Sequence, residues 1–306
     1  MKIGFIFGGQ GSQVVGMGQD VYEHYPASKE LFDQVNCGFD VKDVCFNGPQ
    51  ERLNQTQYTQ PSLLLTSLAI AEALRSEGIL ADVCAGLSLG EYSALCYAKA
   101  IEVEQAIDVV VKRGRLMQEA LPANTSGMVA VLSSDLQTIQ RIVSESQKEL
   151  DEVLEIANYN SPNQTVISGQ KAVLDLAISR LKEASMRVLP LNVSGAFHSS
   201  LLKEAGQQLK TVLQMATINE PQIPVLFNVS GDVEKDIVNA LTQQIHSSVQ
   251  WVKTIERMHA LGTDVFVEIS PKNTLDKLVK QIIPDAKVFT VRDTKDIEVL
   301  KGVLHG

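Results

Sequence analysis

The sequence predicts an α/β protein with a mostly parallel main sheet and a smaller inserted α+β subdomain of ferredoxin-like order. Three observations carry this. Short apolar strands alternate with helices over the first 125 residues, the pattern of a parallel sheet covered on both faces. A Gly-x-Ser-x-Gly segment joins one such strand to the helix after it. From Gly127 the order becomes β-α-β-β-α-β before the first pattern resumes, and that order is a self-contained supersecondary unit.

Lys2–Phe7, apolar and β-branched, reads as the first strand and runs into the loop Gly8-Gly9-Gln10-Gly11-Ser12-Gln13. Tyr58-Thr59-Gln60-Pro61 opens a helix that continues to Leu74, with Pro61 near its first position. Ala81–Ala85 is a short buried strand, Glu91–Ala98 a helix, and Val103–Leu121 a longer helix carrying Arg113 and Arg115. In the insertion, Met128–Leu132, Val153–Tyr159, Gln164–Gly169 and Arg187–Leu191 are strands, and Leu136–Leu150 and Lys171–Ala184 helices. The main domain is thus discontinuous, residues 1–125 and 192–306, around a subdomain of residues 126–191.

Composition narrows the function. A net charge of −9 argues against nucleic acid and anionic membranes, which need basic surface. Cys37, Cys45, Cys84 and Cys96 show no Cys-x-x-Cys spacing and no histidine pairing; they read as free thiols in a reducing, cytoplasmic compartment, with no metal site. No apolar run is long enough for a membrane span, and Met1–Phe7 reads as a strand rather than a signal peptide. Nothing resembles a dimerising coiled coil, so a monomer is expected.

Gly86-Leu87-Ser88-Leu89-Gly90 has the spacing of a nucleophile elbow, which makes the main domain hydrolase-like. Ser88 then sits at a helix N-terminus, where free N–H groups favour a developing oxyanion, and Glu91 is placed to cap that turn. A nucleophilic serine needs a base, and the chain has five histidines. His24 and His259 lie on helical stretches, His246 in a polar segment, and His305 at the C-terminus. His198 follows an apolar strand and the small-residue turn Ser194-Gly195-Ala196-Phe197, the place from which a base meets an elbow serine across a sheet.

Six segments together resemble the malonyl-CoA:acyl carrier protein transacylase family, including the stand-alone acyltransferases of polyketide synthases. They are Gly9-Gln10-Gly11-Ser12-Gln13, Tyr58–Leu63, Gly86–Ala94, Arg113–Gln118, Ala196-Phe197-His198-Ser199 and Val249-Gln250-Trp251, in register over essentially the whole chain. The resemblance implies transfer of a malonyl group from coenzyme A to the phosphopantetheine thiol of an acyl carrier protein, in fatty acid or polyketide synthesis. Ser88 would form an acyl-enzyme with His198 as base, with no cofactor beyond the substrate malonyl-CoA. The backbone N–H groups of Leu89 and Gln10 would hold the oxyanion, Arg113 the malonyl carboxylate, and a carbonyl near Gln250 would orient His198. Phe197 would fill the space an α-methyl branch needs.

The chain departs from the family pattern at three places. Gly8 stands where proline usually precedes the loop, Leu87 where histidine often precedes the nucleophile, and Ser270-Pro271-Lys272-Asn273 where a turn is richer in glycine. Leu87 therefore belongs with Phe197 among the residues expected to shape the pocket. Two other readings compete: an acyl hydrolase of the same fold that clears carrier proteins, and a carrier-docking scaffold with a relic site. Arg113 speaks against the first, and the presence of Ser88, His198 and Arg113 together against the second.

Overall fold

The computed structural model describes residues 1–193 and 195–305; Ser194, in the turn expected before His198, lies outside the described residues. The main sheet contains β1 (Ile3–Phe7), β2 (Val83–Gly86), β7 (Val225–Leu226), β8 (Val265–Ile269) and β9 (Lys287–Val291), all parallel, in the order β7-β2-β1-β8-β9. β2 and β8 are buried throughout, as inner strands of a parallel sheet covered on both faces are.

A second, antiparallel sheet is built from β3 (Ser126–Leu132), β4 (Leu154–Ser161), β5 (Gln164–Gln170) and β6 (Arg187–Pro190), in the order β4-β5-β3-β6. Helices Leu136–Leu150 and Lys171–Glu183 seal one face with Ile139, Ile142, Val173, Leu174 and Leu181. β4 also reaches the larger half: Tyr159 N–H donates to Val249 O (2.9 Å) and Val249 N–H to Ala157 O (2.8 Å). Those bonds fix the small sheet beside the segment that leads into helix Trp251–Ala260.

Helix Thr56–Ser76 is buried on nearly every side, as a helix apolar all round must be. It begins earlier than Pro61 suggests, and Pro61 lies inside it. Pro61 is its sixth residue and lacks the N–H that would bond Gln57 O, a cost that the burial of the helix on nearly every side offsets. The earlier start carries Thr56 and Gln60 to the site.

Candidate active site

The elbow is fixed by contacts that exclude side chains. A Cβ on Gly86 would fall 1.9 Å from Gly90 C, and one on Gly90 would fall 2.2 Å from Phe7 O. The chain turns sharply between them and leaves Ser88 with φ 54°, a left-handed conformation that is uncommon for a residue with a side chain. Helix Gly90–Tyr97 starts immediately after. Ser88 is thereby lifted off the strand end with its hydroxyl free to meet a partner.

That partner is His198, whose Nε2 lies 2.9 Å from Ser88 Oγ. His198 also has a positive φ, 57°, and its ring is buried. Its Nδ1 faces Gln244 O at 2.7 Å. A carbonyl only accepts, so Nδ1 carries the proton and Nε2 is left as the acceptor for the Ser88 hydroxyl. Burial, reinforced by the nearby Arg113 charge, lowers the His198 pKa from 6.5 to about 4. The imidazole is therefore neutral at physiological pH and competent as a base.

The orienting carbonyl belongs to Gln244, not to the neighbourhood of Gln250. Gln244 ends helix Ile237–Gln244, where the last carbonyls lack intrahelical partners; one of them turns to the imidazole. Gln250 instead precedes helix Trp251–Ala260, accepting from Thr254 N–H (3.0 Å) and donating its own N–H to Asn228 O (2.8 Å).

Arg113 is 1% exposed, and every hydrogen-bond acceptor it has among the described residues is neutral. Its Nη1 donates to Gln60 Oε1 (2.7 Å), and its Nη2 to Gln244 Oε1 (2.9 Å) and to Ser88 Oγ (3.1 Å). The face of Tyr92 lies 5.4 Å from the guanidinium carbon, a cation–π contact. Nε has no partner. Glu91, the nearest acid in sequence to this cluster, is fully buried, and burial pushes its carboxyl up to about 8, so it is mostly uncharged at neutral pH. It does not cap its own turn: Oε2 accepts from Asn228 N–H at 2.6 Å. Arg115, by contrast, is exposed and reaches Glu119 at 4.0 Å.

The loop after β1 runs beside the elbow. A Cβ on Gly9 would lie 2.4 Å from Leu87 O, and the Gln10 side chain donates to Thr56 Oγ1 at 3.1 Å. The backbone N–H groups of Gln10 and Leu89 have no acceptor among the described residues. Phe197 is buried in the main core with Met117 and Met128. Gln60 and Gln244, which hold Arg113, were not singled out from the sequence. Gln60 sits in a motif noted only for opening a helix, and nothing local marks Gln244.

A family model described as an acyl transferase domain matches residues 4–301. A malonyl CoA-acyl carrier protein transacylase from Bacillus subtilis is 40% identical over 304 residues, covering 97% of this chain and 96% of the relative. The chain belongs to the malonyl-CoA:acyl carrier protein transacylase family. A transacylase of that name from Haemophilus influenzae is 39% identical over 99% of both chains. The crystal structure of a transacylase from Clostridium perfringens matches with a TM-score of 0.95 at 38% identity, covering 100% of this chain and 98% of that one. A further match is a malonyl-transacylase in complex with a type II polyketide acyl-carrier protein, with a TM-score of 0.94 at 35% identity over 100% of both chains.

Set against the transacylase pattern, two of the departures meet in space. A Cβ on Gly8 would lie 2.3 Å from Ser270 Oγ and 2.8 Å from Ser270 Cβ. The glycine at 8 leaves the room that the serine at 270 occupies. Leu87, the third departure, is partly buried and packs against the cluster containing Ile6, Leu226 and Trp251.

Proposed function

We propose that this acyltransferase moves malonyl groups from coenzyme A to an acyl carrier protein through a seryl acyl-enzyme, in two half-reactions. In the first, Ser88 Oγ attacks the thioester carbonyl while its proton passes to His198 Nε2. The tetrahedral oxyanion is held by the Leu89 and Gln10 N–H groups. The C–S bond breaks, and the departing sulfur takes the proton back from His198. In the second, the phosphopantetheine thiol gives its proton to His198 and attacks the seryl ester. Ser88 then leaves and recovers the proton. Both steps draw nucleophile, base and donors from this chain, and a neutral His198 suits each of them.

The observation that carries the malonyl assignment is the setting of Arg113. A buried guanidinium hydrogen-bonded, among the described residues, to amides and a hydroxyl but to no carboxylate, and within 3.1 Å of the nucleophile, is suited to a substrate that brings its own carboxylate. Nε and Nη2 lie on one edge of the group, and a carboxylate that replaces the Nη2 contact to Ser88 Oγ takes that edge with two parallel hydrogen bonds. Malonyl fits this demand and acetyl does not. The relative solved with a polyketide acyl-carrier protein supports the same class of acceptor here. The four buried free cysteines suit work in the reducing cytoplasm.

Intact-protein mass measured after mixing with malonyl-CoA or acetyl-CoA tests the reading. The expected result is a malonyl adduct on Ser88 that holo carrier protein removes. No adduct would overturn the seryl route; an adduct lost to water as fast as to the carrier would mark a hydrolase.

A further inference from the structure

Ser88 is strained, and something must hold it. The parallel register pairs Cys84 with Val225 and Ala85 with Leu226, so the chain leaving β7 runs alongside the elbow and brings Asn228 level with it. Asn228 is fully buried. Its Oδ1 accepts from Ser88 N–H at 2.7 Å, and its Nδ2 donates to Gly86 O at 2.7 Å. One carboxamide thus bridges the two sides of the turn. Its backbone is anchored in the same way: Asn228 N–H donates to Glu91 Oε2 (2.6 Å), and Asn228 O accepts from Gln250 N–H (2.8 Å). On the other side of the nucleophile, Gln244 Nε2 donates to Ser88 O at 2.8 Å.

We propose that Asn228 is a positioning residue for the acyl transfer. Its side chain locks the backbone of the strained Ser88 so that Oγ meets His198 and the Leu89 N–H stays aimed at the oxyanion. The inference rests on the seryl acyl-enzyme reading above. The requirement is chemically narrow. Ser88 N–H only donates and Gly86 O only accepts, so the bridge needs one acceptor and one donor on a short planar group. Asparagine supplies both. A carboxylate supplies two acceptors and sets one against Gly86 O; a protonated carboxyl again supplies one of each.

That last point gives a test which a merely structural role does not pass. The rate at which a fluorophosphonate labels Ser88 reads an activated, well-placed serine and makes no demand on malonyl recognition. In Asn228→Asp this rate should fall about 10²-fold, the scale of a small misplacement of reacting groups, as pH rises far enough to ionise the buried carboxyl. As pH falls and the introduced carboxyl protonates, its rate relative to the native protein should recover. The native enzyme moves the other way, losing rate only as His198 protonates. If Asn228→Asp does not fold at neutral pH, Asn228→Ser keeps the backbone links but cannot span both groups; it should be slowed as much when labelled well below its own Tm, which the loss of two buried hydrogen bonds lowers. A folded Asn228→Asp whose pH profile parallels the native one, or an Asn228→Ser labelled at the native rate, overturns the proposal. A native protein that neither labels at Ser88 nor takes up malonyl overturns the acyl-enzyme reading instead.

Discussion

The elbow and the arginine cradle meet at Ser88 Oγ and are built by opposite means. The elbow is backbone work. Gly86 and Gly90 sit where a Cβ has no room, and Ser88 adopts φ 54°, all within five consecutive residues. The cradle is side-chain work. Gln60, Arg113 and Gln244 come from three helices far apart in the chain and meet only in the folded protein. In the function proposed above, the first makes a serine reactive toward any acyl donor that fits and the second decides which donor fits. A backbone constraint forces particular residues at particular spacings and leaves a signature. A side-chain cradle asks only that amides arrive from somewhere.

If this division is right, damage to the elbow or its base stops chemistry for every donor, whereas damage to the cradle separates donors. The largest expected effect is Ser88→Ala, which should abolish both the covalent adduct and transfer. Labelled malonate remaining attached to that variant would move the nucleophile elsewhere. His198→Ala should slow acylation and deacylation alike by roughly two to four orders of magnitude, read in single-turnover kinetics with both malonyl-CoA and acetyl-CoA.

Arg113→Ala should cost malonyl transfer roughly 2–5 kcal/mol, the scale for breaking a buried charged contact, while acetyl transfer holds steady or rises. An equal fall for both donors would make Arg113 structural and dissolve the distinction drawn above. The same variant sharpens it through pH. With His198 as the base proposed above, its neutral form is the active one, so kcat/KM should stay level as pH falls and drop only near the lowered pKa of about 4. Removing the Arg113 cation takes away one cause of that lowering, and the acid limb should move upward in the variant. A limb that does not move would mean the two sites are not electrostatically linked.

The smallest effect concerns packing beneath the elbow loop. Gly8→Ala should destabilise by about 1–3 kcal/mol, as overfilled cores do, because its Cβ meets Ser270. In a Ser270→Gly background most of that cost should vanish in denaturant unfolding. Additive effects would show that the two positions do not share space.

Much of this site was legible in the sequence, and the reason differs from residue to residue. Ser88 announced itself by its flanking glycines, and His198 by its place after a strand and a small-residue turn. The order of the small sheet, and of β1 and β2 in the main one, followed from periodicity, whereas β7, β8 and β9 did not; helix Thr56–Ser76 starts ahead of the proline taken as its opening because its burial tolerates Pro61 inside it. The carbonyl that orients His198 was misplaced at Gln250, since any residue has a carbonyl and only the fold shows that Gln244 ends its helix beside the imidazole. Glu91 was read as a cap from its spacing. In the buried interior its carboxyl found Asn228 N–H instead, a partner contributed by the turn after β7, more than a hundred residues away.

The neutrality of the cradle has a further consequence. Gln60 and Gln244 fix the direction of the Arg113 guanidinium without cancelling its charge, and Glu91 beside it is mostly protonated near neutrality. Free malonate, or another small dicarboxylate, carries the missing countercharge without a thioester to react. Such an anion is expected to compete with malonyl-CoA for the same guanidinium edge, and to do so more weakly as ionic strength rises. On the proposed reading, the setting that admits the substrate's carboxylate admits a free diacid as well.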